Sequence, residues 1–134
     1  MFSLKPDYEI TQKRFDALMQ CEIIDRPPIN IYLDKNPEAV FPKKNFLTWE
    51  DKWMDLEYRT NEQIFRLENT EFLGVALPVA WPNMGPEIFS AWCGCGYNYG
   101  ETTTWSDPCI HNWETDYDNG VLNRKHPLLL KTIE

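Results

Sequence analysis

Apolar positions recur at helical spacing in two stretches of the chain and gather into short runs elsewhere. From Tyr8 to about Cys21, Tyr8, Phe15, Leu18 and Met19 fall near one face, with Lys13, Arg14 and Asp16 off it. That pattern predicts an amphipathic helix with Asp7 as its N-cap. Asp25-Arg26-Pro27-Pro28 ends it, because a residue before proline is driven out of the α region. Ile29–Leu33 is β-branched and aromatic and predicts a short strand. Residues 34–46 hold Pro37 and Pro42 and show no periodicity, which predicts a loop. Thr48-Trp49-Glu50-Asp51 has the form of a capping box. It predicts a helix running to about Asn69, with Trp53, Leu56, Thr60, Ile64 and Leu67 facing inward.

Val75–Trp81 is almost wholly apolar and predicts a strand covered on both faces, as in a parallel sheet. Pro78 within it limits how far the strand extends. Strand, long helix and strand make a βαβ unit. After a break at Pro82-Asn83 and a turn at Gly85-Pro86, Glu87–Cys93 predicts a short helix stopped by Gly94. Tyr97–Tyr99 and Thr102–Trp105 predict a hairpin about Gly100-Glu101, and Pro108–His111 a further short strand. Asn112–Asn123 is irregular, and Leu128–Ile133 predicts a last helix behind Pro127. The expected fold class is therefore α/β.

At 134 residues the chain suits one domain with a core of its own. The net charge of -8 argues against a nucleic-acid footprint and against an anionic membrane surface. No apolar run approaches the roughly 20 residues of a membrane span. The first residues, MFSLKPDYEITQKRF, lack the apolar core of a secretion signal. The expected compartment is the cytoplasm, with Cys21, Cys93, Cys95 and Cys109 reduced.

Six Trp residues raise the question of a binding surface. Trp81, Asn83, Met84 and Trp92 bracket the end of the apolar run and are candidates to line a pocket for a flat ligand. A core packed with Trp is the alternative. Cys93-x-Cys95 with Cys109-x-His111 is the sharpest chemical pattern, since three thiolates and an imidazole suit tetrahedral zinc. The single residue between Cys93 and Cys95 is shorter than the usual ligand spacing, and buried free thiols with a surface His111 explain the same residues. Glu87 falls in a helical first turn, where macrodipole stabilisation accounts for it. No nucleophile–base pair is visible, so no catalytic residue is assigned.

Several segments in order carry a resemblance. They are FDAL, CEIIDRPP, WMDLEY, ALPVAWPNMGPEIFSAWCGC and, in the hairpin region, YGETTTWSDP. Together they resemble the N-terminal part of the uroporphyrinogen decarboxylase-like superfamily, whose members include corrinoid-dependent methyltransferases acting with methylcobalamin. The resemblance implies a (β/α)8 barrel of about 250 residues. It implies that this chain is an N-terminal portion, inactive alone, with Ile29–Leu33 and Val75–Trp81 as the first two barrel staves. It implies a tetrapyrrole or corrinoid-linked substrate near Asn83, Trp81 and Trp92. Unpaired strand edges would then favour a homo-oligomer. The family's decarboxylases have an arginine-rich loop after the first strand, where this chain has Asp34-Lys35-Asn36-Pro37. They also place an aspartate after the second strand, where this chain has Asn83. Lysine lacks the guanidinium fork and an amide lacks the charge, so methyl transfer is the favoured chemistry. A binding or assembly module without chemistry, and a small structural zinc domain, are the alternatives from other classes.

Overall fold

A computed structural model describes residues 3–133; Met1, Phe2 and Glu134 lie outside it. The chain divides into two compact units, Met1–Lys44 with Glu57–Trp81, and Asn45–Leu56 with Pro82–Glu134. Among the described residues no helix is long and apolar enough to cross a membrane.

In the first unit, α1 (Tyr8–Met19) buries Thr11, Arg14 and Ala17. The expected stripe is not the buried one: Leu18 is 46% and Met19 84% exposed. Arg14 can lie inside because Asp25 meets its guanidinium with both oxygens, at 3.0 Å from Nε and 2.6 Å from Nη2. A desolvated cation needs such a fork. The helix stops where Cys21 adopts a φ of 59°. There the amides of Cys21 and Glu22 return to the carbonyls of Leu18 and Ala17, closing the helix end in the left-handed manner. Lys5 is fully buried. Its Nζ donates to the Phe72 carbonyl at 3.1 Å and the Gly74 carbonyl at 3.0 Å, and pairs with Asp7 at 3.0 Å.

Those carbonyls belong to a sheet that overturns the expected barrel. β1 (Asn30–Asp34) pairs antiparallel with β2 (Thr70–Gly74), with Ile31 opposite Leu73 and Tyr32 opposite Phe72. The strand lies earlier than Val75–Trp81 and runs the opposite way to a barrel stave. Its residues alternate, Thr70 and Phe72 buried and Glu71 exposed, whereas β1 is exposed throughout. That is the signature of an antiparallel sheet with one open face, not of a strand covered on both sides. Gly74 ends the ladder. Its φ is 65°, and a Cβ there would stand 2.1 Å from the Ile29 carbonyl oxygen. Val75–Trp81 continues as irregular chain, tied back by the Val75 amide to Ile29 at 2.9 Å. With a second two-stranded antiparallel sheet in the other unit, the fold is mixed α/β, and among the described residues no portion of a (β/α)8 barrel is formed.

The helix expected from Thr48 to Asn69 is two helices. α2 (Trp49–Met54) begins at the capping box, with Thr48 Oγ1 accepting from the Asp51 amide and Asp51 returning to the Thr48 amide. It ends at Asp55, whose ψ of 91° is extended. α3 (Leu56–Asn69) follows, and the chain passes between the two units close to this break. The predicted stripe splits with it. Trp53 is buried, but Leu56 is 53% and Ile64 46% exposed. The contact face of α3 is instead aromatic, with Tyr58 and Phe65 against Phe41 at 5.3 and 5.5 Å between ring centres.

In the second unit, α4 (Ile88–Trp92) leads into a hairpin of β3 (Gly96–Tyr99) and β4 (Thr104–Asp107). The sequence predicts a hairpin here, but the second strand begins two residues later than Thr102 and the turn is longer than Gly100-Glu101, closed by the Gly100 amide on the Thr103 carbonyl at 2.9 Å. Trp53 reaches the same turn, its indole donating to the Gly100 carbonyl at 2.7 Å. Pro108–His111 is not a strand; Asp116 draws in the amides of His111 and Asn112 at 3.0 and 2.9 Å and makes a turn of it. α5 (Pro127–Ile133) starts on its proline, whose missing amide costs nothing in a first turn.

Candidate functional site

Each unit carries an open groove of ligand size. In the first unit, Gly74 turns the apolar run away from the ladder, and Val79 and Trp81 then form one wall of a groove of about 380 Å³. Phe15 from α1, Asn30 and Tyr32 from β1, Arg66 from α3, and Val75 and Leu77 of the apolar run also line it. Tyr32 is held edge-on to Phe72, its cross-strand partner, with ring centres 6.0 Å apart. Arg66 is fixed by one nitrogen, Nη2, which donates to the Val79 carbonyl at 2.9 Å and to Gln63 Oε1 at 3.1 Å. A volume in this range, apolar walls and a few placed polar groups are what small-molecule sites use.

The second unit has a groove of about 520 Å³ between the start of α2 and the hairpin, with Leu47, Trp49, Glu50, Asn98 and Tyr99 on it. Tyr97 and Tyr99 meet edge to face at 5.2 Å. The Tyr97 hydroxyl donates to the Met84 carbonyl at 2.7 Å and lies 2.6 Å from Thr104 Oγ1. Burial raises the Tyr97 phenol above its usual value. Burial, with the negative charge of Glu50 beside it, pushes Tyr99 up to about 12. Glu87 accepts from both the amide and the hydroxyl of Ser106, and those bonds hold its carboxyl below the usual range.

The predicted site residues fall on both units. Trp81 lines the first groove, 67% exposed. Asn83, Met84 and Trp92 belong to the second unit. Asn83 Oδ1 accepts from the Gly85 amide at 2.9 Å, and so shapes the turn. Met84 contributes its carbonyl to Tyr97. The Trp92 ring meets Phe89 edge-on at 6.2 Å. Of the thiol and imidazole set, Cys95 and Cys109 come together, sulfur to sulfur at 3.0 Å. The His111 amide is bound to Asp116. Among the described residues no group of three or more His, Cys, Asp or Glu side chains is gathered as a metal would require.

Sequence reasoning missed Arg66, Tyr32 and Phe15 in the first groove and the tyrosine pair in the second. A signal existed for the tyrosines, since residues two apart on a strand share a face. None existed for Arg66, which reads as a solvated helix cation until the Val79 carbonyl is seen beside it. Comparison with family models, with curated proteins and with solved structures finds no match.

Proposed function

We propose that this protein, although its described residues form no barrel, shares the ligand class of uroporphyrinogen decarboxylase-like proteins and holds a tetrapyrrole or corrinoid-linked ligand in the Trp81 groove. The observation that carries this reading is the pairing of aromatic walls with one anchored guanidinium. Trp81 and Tyr32 offer surfaces on which a flat conjugated ring can rest, and Arg66 offers nitrogens to a ring carboxylate. Arg66 also supplies the forked cation that the loop after the first strand lacks. Lys35 of that loop is committed elsewhere, its Nζ donating to the Glu68 carbonyl at 2.8 Å. The ordered segments that resemble the family support the ligand class.

The chain is read as inactive alone; for a longer protein that contains it, methyl transfer is the favoured chemistry, because a single guanidinium serves one carboxylate and a decarboxylase must hold several. The same reading makes the protein cytoplasmic and self-associating. Ile29, Ile31 and Leu33, each at least 43% exposed, give it apolar surface for self-association.

Absorbance titration tests the ligand. Uroporphyrin or hydroxocobalamin is expected to shift its Soret or γ band on addition of protein. Trp81→Ala is expected to weaken the binding about tenfold, equivalent to about 1.4 kcal/mol. Bands unmoved for both ligands, or equal binding by the variant, would refute the proposal.

A further inference from the structure

The hairpin of the second unit brings two cysteines together by its register. Gly96 pairs with Asp107 at the open end of the ladder. Cys95 immediately precedes that pair on one strand, and Cys109 follows two residues after it on the other. The Cys95 and Cys109 sulfurs lie 3.0 Å apart, within hydrogen-bonding distance. Both sides of the pair are held. The Cys95 amide is bound to the Ser90 carbonyl at 3.1 Å, just beyond α4. The Cys109 carbonyl accepts from Asn119 Nδ2 at 3.3 Å. Both thiols are half-buried, so a small oxidant can reach them. Nothing in either groove uses them.

We propose that Cys95 and Cys109 are a reversible oxidation site, a dithiol that closes to a disulfide across the mouth of the hairpin when a hydroperoxide is present. The geometry already brings the two sulfurs to hydrogen-bonding distance, so closure needs only a short approach of two anchored segments. The Cys109 thiol is pushed up, first by its hydrogen bond with Cys95 and then by burial. Cys109 Sγ also faces the Asn119 carbonyl at 4.0 Å, an acceptor for its proton, so Cys95 is taken as the attacking thiol. The Cys95 thiol gives up its proton, and its sulfur attacks the peroxide O–O bond. A sulfenic acid forms at Cys95, and the hydroperoxide leaves as the alcohol, or as water from hydrogen peroxide. The Cys109 sulfur then attacks the Cys95 sulfur and the S–S bond forms. The sulfenic oxygen departs as water, carrying the Cys109 proton. Two thiols are oxidised by two electrons and one peroxide is reduced. An external thiol reverses the step by exchange.

The functional reading of the Trp81 groove plays no part in this site. The experiment is a titration of the Cys21→Ser protein with hydrogen peroxide, followed by non-reducing digestion and mass spectrometry. One equivalent is expected to remove two of the three remaining thiols and give a Cys95–Cys109 linked peptide, released by dithiothreitol. Cys109→Ser is expected to accumulate a sulfenic acid at Cys95 that dimedone traps. Cys93→Ser is expected to leave the linked peptide unchanged. A bridge through Cys93, or thiol loss as sulfinic acid with no linked peptide, would overturn the proposal. The peptide map of the protein with all three thiols present decides this even where a variant fails to fold.

Discussion

Each unit is built round a two-stranded antiparallel sheet, but the sheets are assembled in opposite ways. β3 and β4 are joined by a four-residue turn, residues 100–103, and their pairing is local. β1 and β2 are separated by a loop and two helices, and one of those helices belongs to the other unit. The local sheet is secured by its own turn and hydroxyls, Tyr97 and Thr104 inside and Glu87 on Ser106. The distant one is secured by a charge brought from the N-terminal segment, with Lys5 bridging the Phe72 and Gly74 carbonyls. A short loop costs little entropy to close and needs little help, whereas a long one is held by whatever reaches it.

That comparison can be broken at Lys5 first. Lys5→Met leaves the Phe72 and Gly74 carbonyls without their shared donor, and each buried carbonyl so orphaned costs about 1–3 kcal/mol, while exposed Asp7 loses little. We expect a loss of about 4 kcal/mol, with hydrogen-exchange protection lost from β1 and β2 and kept in β3 and β4. Protection lost equally from both sheets would mean that the two do not depend on separate supports.

The second unit breaks at Gly85. Its φ is 101°, and a Cβ would stand 1.6 Å from Thr104 Oγ1 and 2.5 Å from the Tyr97 hydroxyl. Gly85→Ala is expected to cost about 3 kcal/mol from overpacking and left-handed strain together, seen as earlier urea unfolding of the tyrosine signal.

Acid sharpens the comparison with the smallest effect. Asp25 and Asp7 are held below the usual carboxylate range, chiefly by their hydrogen bonds to Arg14 and Lys5. A folded pKa below the unfolded one, about 3.9, gives stability that is present above that pH and fades as pH falls through the lower value. Asp25→Asn is expected to flatten the loss of first-unit stability below about pH 4. The second unit, with Glu87 and Asp116 depressed by their own partners, keeps its acid transition. An unchanged slope in the variant would detach Asp25 from first-unit stability.

What the sequence made legible follows the same division. The hairpin about Gly100, the capping box at Thr48 and the helix behind Pro127 are signals written within a few residues, and the structure carries each of them, the hairpin with its second strand two residues further on. The β1–β2 pairing is not written locally. Val75–Trp81 is the most apolar run, yet the strand is Thr70–Gly74, because alternation and the Gly74 turn outweigh hydrophobicity. Helical periodicity points to the wrong inward residues of α1 and α3 for a related reason. Arg14 is buried by a partner at Asp25, and Tyr58 and Phe65 are chosen by Phe41, none of which helical periodicity can report. Of the candidate site, Trp81 was readable as an aromatic at the end of an apolar run. Arg66 was not, since its role depends on where the Val79 carbonyl falls.

The central functional claim assigns the ligand to one groove and not the other. It is tested most directly by equilibrium titration of the same chromophore, uroporphyrin or hydroxocobalamin, into two single variants. The account predicts that Trp81→Ala binds about tenfold more weakly and that Trp49→Ala binds as the unaltered protein does. Binding that survives the loss of Trp81 and disappears with Trp49 would contradict it.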